Sequence, residues 1–165
     1  TGNMKFVLNG ALILGTMDGA NIEIAEEVGV ENIFTFGLNS NEVKNLTEYG
    51  YNPIIPFQKN PSLREVLSMI NTGYFNREKP NLYNDLYNSL VFEDKYMLLE
   101  DFASYVECQQ SVMKTWEDQG TWTRMSILNT AGAGKFSSDR TIAEYAKDIW
   151  GLEAVTVELQ GKKIR

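Results

Sequence analysis

Residues 11–37 read ALILGTMDGANIEIAEEVGVENIFTFG, and this stretch decides the fold class. The runs ALIL at 11–14 and NIFTF at 32–36 each end at a glycine. Short, mainly apolar runs of this kind are typical of strands that are covered on both faces, as in parallel sheets. Between them, residues 21–30 contain good helix formers and a terminating Gly29. The alternation of helix and strand predicts an α/β fold.

The sequence becomes helical in character after residue 60. Ser62 is the predicted N-cap of the next helix and Gly73 its predicted end. A later helix is predicted from about Thr121 to Gly132, and a last one is predicted with Ser138 as its cap. Apolar side chains recur at helical spacing in four groups: Leu63, Val66, Leu67 and Ile70; Leu82, Leu86 and Leu90 with Tyr83 and Tyr87; Phe102, Tyr105, Val106, Gln109, Val112, Met113 and Trp116; and Ile142, Tyr145, Ala146 and Ile149 before Gly151.

Two parallel strands are too few for a stable sheet, because sheets of this kind usually have about five strands. We therefore expect further strands, with the helices that cover them, upstream of Thr1. The chain is predicted to be the later half of a doubly wound domain.

Composition excludes several classes of function. The 165 residues contain no histidine, which rules out catalytic triads, histidine general bases and histidine-bearing zinc sites, and we expect no metal. A net charge of −7 argues against nucleic acid as a partner. A single cysteine, Cys108, fits a reducing compartment. With neither a membrane-length apolar stretch nor a signal-peptide pattern, the sequence predicts a cytoplasmic protein without a membrane partner.

The first residues, TGNMKF, combine a small-residue turn with a helix start and a lysine. Such a turn presents free backbone amides, so Thr1 and Gly2 are candidate ligands of a phosphate group. Lys5 follows one helical turn later. A phosphate anchor beside a lysine amine is what pyridoxal phosphate bound as a Schiff base requires. By spacing alone, a solvated surface lysine is the commoner explanation.

The identities of these residues are more specific evidence than their spacing. Residues 1–37 resemble, nearly position for position, the pyridoxal-phosphate segment of the α-glucan phosphorylases, and GKFSSDRTIAEYAKDIW at 134–150 resumes the resemblance. The lysine of that family's GTGNMKF motif carries the cofactor, which implies that Lys5 is the Schiff-base lysine. The resemblance likewise implies that Thr1 and Gly2 hold the cofactor phosphate. The motif's first glycine and the acidic residue before it lie outside the sequence.

The resemblance also implies a fold. These phosphorylases have a two-domain glycosyltransferase (GT-B) fold, in which two Rossmann-like domains face each other across a cleft. Residues 1–165 are expected to form the later, C-terminal part of the second, cofactor-binding domain, helix-rich after residue 60. The helix at about 138–150 is expected to cross back toward the first domain, which belongs to the missing N-terminal part of the protein.

The chemistry implied is phosphorolysis: inorganic phosphate cleaves the terminal α-1,4 bond of glycogen or a maltodextrin and gives glucose 1-phosphate. In the family, the cofactor phosphate exchanges a proton with the substrate phosphate. Because the second pKa of a phosphate monoester is about 6, this needs no histidine. The residues that bind sugar and substrate phosphate are expected upstream, so the isolated chain is predicted to be inactive.

Several local features have a competing functional interpretation. Asp18 could be a catalytic acid, but an Asp-Gly pair after a strand more often forms a turn and a helix cap, which is the interpretation we favour. Residues 131–138, AGAGKFSS, lack the hydroxyl that a Walker loop needs after its lysine, which favours a helix end followed by a new cap. The tyrosines and tryptophans between Tyr83 and Trp122 are predicted to be core residues rather than a sugar platform. The acidic pairs at 26–27 and 100–101 are predicted to be solvated or to lie at helix ends.

An alternative function from another class is a non-catalytic helical docking module derived from the same domain. Such a module has no need of an intact TGNMKF, and this sequence keeps it. The final residues, 154–165, align with nothing in the family and are interpreted as a variable tail or a short edge strand. The preferred glucan, allosteric or phosphorylation control and the oligomeric state are not encoded in this sequence.

Overall fold

The computed structural model describes residues 1–153, 155, 157–159 and 162–164. Its helices are α1 Gly2–Leu8, α2 Ala20–Val28, α3 Ser40–Tyr49, α4 Ile54–Lys59, α5 Pro61–Asn71, α6 Asn84–Asn88, α7 Leu98–Glu117, α8 Gln119–Gly132 and α9 Ser138–Glu144. Its strands are β1 Leu14–Thr16, β2 Phe34–Phe36, β3 Val157–Leu159 and β4 Lys162–Ile164. Among the described residues, no helix is both long and apolar enough to cross a bilayer.

The predicted strand–helix–strand unit is present. Strands β1 and β2 pair in parallel with Leu14 opposite Phe34, and α2 connects them. Both strands are shorter than predicted. The first begins at Leu14 rather than residue 11 and runs through Gly15, and Asn32 belongs to a 3-10 turn before the second strand. The reason is that a strand extends only where a neighbouring backbone pairs with it, which apolarity alone does not reveal.

The first core lies around α2. Its buried members come from α1, both strand entries, α2 and the residue that follows α8: Val7, Ile13, Ile24, Ala25, Val28, Ile33 and Ala133. Helix α8 reaches this core because Gly132 has no side chain. A Cβ there would lie 2.6 Å from the carbonyl oxygen of Glu27. The core is therefore closed by a segment about a hundred residues further along the chain.

A second core lies among the later helices and contains Leu63, Leu67, Val91 and Leu99. The helix at 61–71 is as predicted, but its cap is Asn60, whose Oδ1 accepts the Leu63 amide at 3.0 Å, rather than Ser62. Because proline takes the first helical position, the cap lies two residues earlier than predicted. Helix α7 contributes Leu99 to this core and also packs against β2.

The segment before α7 is less regular than the helical spacing of its apolar residues predicted. Leu82 precedes α6 and is 52% exposed, and a π-helical turn, Ser89–Glu93, follows α6. Asp94 then takes a positive φ of 33° and is buried. Its carboxylate accepts hydrogen bonds from the Tyr51 hydroxyl at 2.7 Å and from the amides of Leu98 and Leu99, both at 2.9 Å. This buried carboxylate ends the earlier helix and starts α7.

The last helices differ from prediction mainly at their starts. Helix α8 begins at Gln119, two residues before Thr121, because the Asp118 side chain caps it. Ser137, not Ser138, is at the cap position of α9, and its side chain makes no cap bond. After α9 a π-helical turn, Tyr145–Ile149, continues the chain. The apolar group predicted to face a core is largely exposed there, with Ile149 at 67%.

The tail contains two short paired strands. Strands β3 and β4 pair antiparallel with Val157 opposite Ile164. Residues 154, 156, 160, 161 and 165 of the predicted tail lie outside the described residues.

Candidate cofactor-binding site

Three element ends meet at the carboxyl edge of β1. Asn3, in the first turn of α1, donates from Nδ2 to Asn21 Oδ1 at 2.9 Å. Asn21, in the first turn of α2, donates from its own Nδ2 to the carbonyl oxygen of Thr16 at 2.9 Å. Thr16 is the last residue of β1. The carboxyl edge of a parallel sheet is where α/β proteins place their ligands, and the start of α1 lies there.

The start of α1 has free backbone donors. The first hydrogen bond of the helix joins the Lys5 amide to the Thr1 carbonyl at 3.2 Å. The amides of Gly2, Asn3 and Met4 precede it, and the Thr1 side chain does not cap them. A Cβ on Gly2 would meet no atom within 4 Å. These amides are therefore open to an anion, which the helix dipole also favours.

Lys5 lies on the open side of the same helix. The residue is exposed, while Val7, near the other end of α1, is fully buried in the first core. Within the described part of the chain the Lys5 amine forms no ion pair. An unpaired primary amine close to free backbone amides fits pyridoxal phosphate, whose phosphate needs donors and whose aldehyde needs an amine. The residues predicted for the cofactor, Thr1, Gly2 and Lys5, thus lie together at one helix start.

Asp18 lies in the turn between β1 and α2. Its Oδ1 accepts from the Thr16 hydroxyl at 3.0 Å, and its carbonyl accepts from the Asn21 amide at 3.0 Å. The turn is as predicted, but Asp18 does not cap α2 through its side chain. Gly19 occupies the cap position with a φ of 46°. The Asp18 carboxylate therefore stabilises the turn at the edge of the site by accepting the Thr16 hydroxyl.

The carboxyl end of β2 is held by α7. The Leu38 amide donates to Asp101 Oδ1 at 2.8 Å and the Gly37 amide to Ser104 Oγ at 2.9 Å. Burial raises the pKa of the Asp101 carboxyl. Asp101 lies in the first turn of α7, as the helix-end interpretation predicted, and a backbone amide from a distant loop binds it. A cavity of about 440 Å³ adjoins this end of the sheet and is lined by Thr16, Phe36, Leu98, Asp101, Phe102 and Tyr105.

Residues 131–138 do not form a phosphate loop. Helix α8 ends at Gly132, a 3-10 turn covers Ala133–Phe136, and α9 follows, as the helix-end interpretation predicted. Lys135 bonds Glu27 at 2.6 Å, and this hydrogen bond raises the pKa of the lysine. Glu27 is exposed and lies in the last turn of α2, as predicted, and it pairs with this lysine across 108 residues.

The aromatic residues between Tyr83 and Trp122 are only in part core residues. Tyr87 and Phe102 pack against the second core. Trp116 packs edge-to-face on Trp122 with their ring centroids 4.9 Å apart, yet Trp116 is 54% exposed. Tyr96 is 73% exposed. Helical spacing alone overestimated their burial. Among the described residues, no cluster of histidine, cysteine and acidic side chains suits a metal ion.

Comparison with known proteins places the whole site within one family. Residues 1–152 match the family described as "Carbohydrate phosphorylase". Glycogen phosphorylase of Synechocystis sp. is 51% identical over 160 residues, which cover 97% of this chain and 19% of that protein. The muscle forms of Homo sapiens and Mus musculus are 48% and 47% identical over 153 residues, which cover 93% of this chain and 18% of each protein. The chain spans about a fifth of the length of these relatives. It belongs to the carbohydrate phosphorylase family.

Proposed function

We propose that this chain is the cofactor-carrying part of an α-glucan phosphorylase. The intact enzyme releases glucose 1-phosphate from glycogen or a maltodextrin with inorganic phosphate, and its pyridoxal phosphate is attached to Lys5. The family match supports this proposal, since it covers residues 1–152 and so includes the TGNMKF segment, and the relatives named glycogen phosphorylase cover 93–97% of the chain.

One observation carries the proposal: Lys5 and a helix start with free amides lie together at the carboxyl edge of β1. A lysine on an ordinary solvated helix face has no such surroundings. The turn that contains Asn3 is tied to both α2 and β1, so the amine and the amides keep a fixed relation to the sheet. A preorganised site of this kind is what cofactor binding requires.

Each of the three residues has a role. Thr1 and Gly2 bind the cofactor phosphate, and the absence of a side chain on Gly2 lets that anion approach the backbone. The amine of Lys5 holds the cofactor covalently. When bound, the cofactor supplies a phosphate group that exchanges protons near neutral pH. Because the chain contains no histidine, no imidazole of its own competes for that proton.

The proposal extends to the architecture of the whole protein. Residues 1–165 form the later part of the second Rossmann-like domain of a GT-B fold, and the helical segment at 138–150 crosses toward the first domain. The exposed apolar side chains there, among them Ile142 and Trp150, support this, since such a surface is normally covered. The N-terminal part of the same protein supplies the remaining sugar and phosphate ligands. The protein works in the cytoplasm without a metal ion.

Covalent trapping tests the proposal directly. The full-length protein, saturated with pyridoxal phosphate, is reduced with borohydride, digested and mapped by mass spectrometry. We expect one pyridoxyl adduct, on Lys5. Lys44, an exposed lysine that lies 3.9 Å from Glu48, serves as the internal control and should remain unmodified. An adduct spread over surface lysines, or none on Lys5, would reject the proposal and favour the docking module instead.

Replacing the lysine gives a second test. Lys5→Ala in the full-length protein removes the amine that holds the cofactor, so phosphorolysis of maltodextrin should fall below detection. Lys44→Ala removes only an exposed ion pair, whose contribution to stability is small, and should leave activity near wild type. The measurement is glucose 1-phosphate release with excess cofactor. Activity in Lys5→Ala equal to that of Lys44→Ala would contradict the assigned role.

A further inference from the structure

The first turn of α1 depends on few contacts for its orientation. The helix has seven residues, too few to be stable by itself, and its fully buried residue, Val7, lies near its far end. Met4 packs against the first core, but a methionine side chain is flexible and does not fix a rotation. Among the described residues, Asn3 alone in that turn makes a side-chain hydrogen bond to another element. This bond therefore holds the first turn toward α2, while Met4, Val7 and Leu8 pack the helix against the first core.

The partner of Asn3 is itself fixed. Asn21 is 8% exposed, and its Nδ2 must face the Thr16 carbonyl to donate at 2.9 Å. Its Oδ1 consequently faces Asn3 as an acceptor. Gly15 makes room for this arrangement, because a Cβ at that position would lie 2.6 Å from Asn21 Nδ2. The amide of Asn21 thus has one orientation, determined by the strand.

We infer that Asn3 and Asn21 are positioning residues for the cofactor. Residues two apart in an α-helix point about 200° apart around its axis, so turning Asn3 toward α2 turns Lys5 toward the open side. The free amides at Gly2–Met4 belong to the same turn, so the bond also fixes where they lie relative to the sheet. The Asn3–Asn21 bridge therefore holds the amine and the phosphate donors together at the carboxyl edge of β1. This inference rests on the proposed function, since alignment has a consequence only if Lys5 carries the cofactor.

The test compares Asn3→Ala with Asn9→Ala in the full-length protein. Asn9 is the C-cap residue of the same helix, and among the described residues its side chain hydrogen-bonds only to the Lys5 carbonyl, which makes it a matched control. After loading with pyridoxal phosphate, release of the cofactor is followed on dilution by its absorbance. We expect release to be about fivefold faster in Asn3→Ala than in Asn9→Ala, the factor that corresponds to one net hydrogen bond. The absorption band of the lysine-bound cofactor should shift in Asn3→Ala only.

A purely structural role gives a different result. It would lower the unfolding midpoint of Asn3→Ala while cofactor release and the absorption band stayed as in Asn9→Ala, and that result would overturn the inference. A double-mutant cycle sharpens the test: in an Asn21→Ala background, Asn3→Ala should no longer change the release rate, because the shared bond is already absent. An additive effect would also count against the inference.

Hydrogen exchange supplies a readout that does not need the cofactor. In the cofactor-free protein, the Lys5 amide, which donates to the Thr1 carbonyl, should exchange about fivefold faster in Asn3→Ala than in wild type. Unchanged exchange would overturn the inference. If the wild type carries no adduct on Lys5, the proposed function fails and the positioning role fails with it. If the wild type carries the adduct and the two variants behave alike, only the positioning role fails.

Discussion

Gly132 lies where α8 passes the end of α2, and any side chain there would meet backbone. A Cβ would lie 2.6 Å from the Glu27 carbonyl oxygen and 3.1 Å from the Val28 Cα. Because backbone cannot move aside as a side-chain tip can, we expect Gly132→Ala to lower the free energy of unfolding by about 1–3 kcal/mol. The measurement is urea unfolding of the full-length protein. Gly134→Ala, where a Cβ meets nothing within 4 Å, is the control, and equal losses in the two variants would show that the close approach is not real.

Two aspartates should respond to pH with opposite signs. Burial raises the pKa of Asp101 above its ordinary value of 3.8, whereas the hydrogen bond from the Thr121 hydroxyl lowers that of Asp118. A raised pKa contributes stability that is present at low pH and is lost as the pH rises through the folded-state pKa. A lowered pKa contributes stability that is present above the ordinary value and is lost as the pH falls through the folded-state pKa.

Replacement by asparagine exposes these two contributions. As the pH falls from 7 to 3, the wild-type protein should become more stable relative to Asp101→Asn and less stable relative to Asp118→Asn. Urea unfolding of the three proteins across that range gives the two differences directly. Differences that change in the same direction with pH would contradict the assigned environments.

The sequence predicted Thr1, Gly2 and Lys5 as cofactor residues but did not reveal which residues contact their turn. Lys5 was predicted because the TGNMKF motif is local and specific. Asn21 lies 18 residues from Asn3, and nothing in the spacing of two asparagines reveals that their amides meet. The partner of Asp101 was missed for the same reason, since Leu38 lies 63 residues away. A helix-end carboxylate looks the same in sequence whether water or a backbone amide binds it.

Among the elements, α5 offers a clean comparison of two candidate caps. The Asn60 side chain accepts the Leu63 amide at 3.0 Å, while Ser62 lies inside the first turn. We expect Asn60→Ala to lower the free energy of unfolding by about 1 kcal/mol and Ser62→Ala to change it by less than about 0.5 kcal/mol. Unfolding of the full-length protein in urea measures both. If Ser62→Ala lowered the free energy of unfolding more than Asn60→Ala, Ser62 would be the cap, as the sequence predicted.

Elements whose signals are local were predicted well. Helix α2 ends at Gly29, which has a φ of 88°, and α5 and α7 follow the apolar spacing. The strands were less accurate because their limits depend on a partner strand, as the start of β1 at Leu14 illustrates. The last apolar group, which includes Tyr145 and Ile149, was predicted as one face of a regular helix. A π-helical turn has more residues per turn than an α-helix, so it moves these side chains off a single stripe.

At the scale of the whole molecule, the chain alone should be marginal. Its parallel sheet has two strands, and large apolar side chains such as Ile142, Ile149 and Leu152 are more than half exposed. Unpaired strand edges and exposed apolar surface promote association. We expect the isolated 165-residue chain to form aggregates or oligomers on size-exclusion chromatography with light scattering. A sharp two-state thermal transition of a monomer would refute this.

The isolated chain should also lack activity. Glycosyl transfer depends on holding sugar, phosphate and proton donor together in a closed site, and we propose that most of those ligands come from elsewhere in the protein. With pyridoxal phosphate added, the 165-residue chain should release no glucose 1-phosphate from maltodextrin above a Lys5→Ala control. Release above that control would show that the residues present here suffice for catalysis.

The return of α8 onto the first core has a consequence for biosynthesis. Ser126 donates to the Gly10 carbonyl across 116 residues, and Asn129 donates to the Asn32 carbonyl across 97. A ribosome adds about 5–20 residues per second, so the opening segment waits on the order of ten seconds before α8 emerges to cover it. During that interval Val7 and Ile24, fully buried in the finished protein, have no α8 or Ala133 to pack against. During synthesis these apolar side chains are therefore exposed, and chaperones are well suited to bind them.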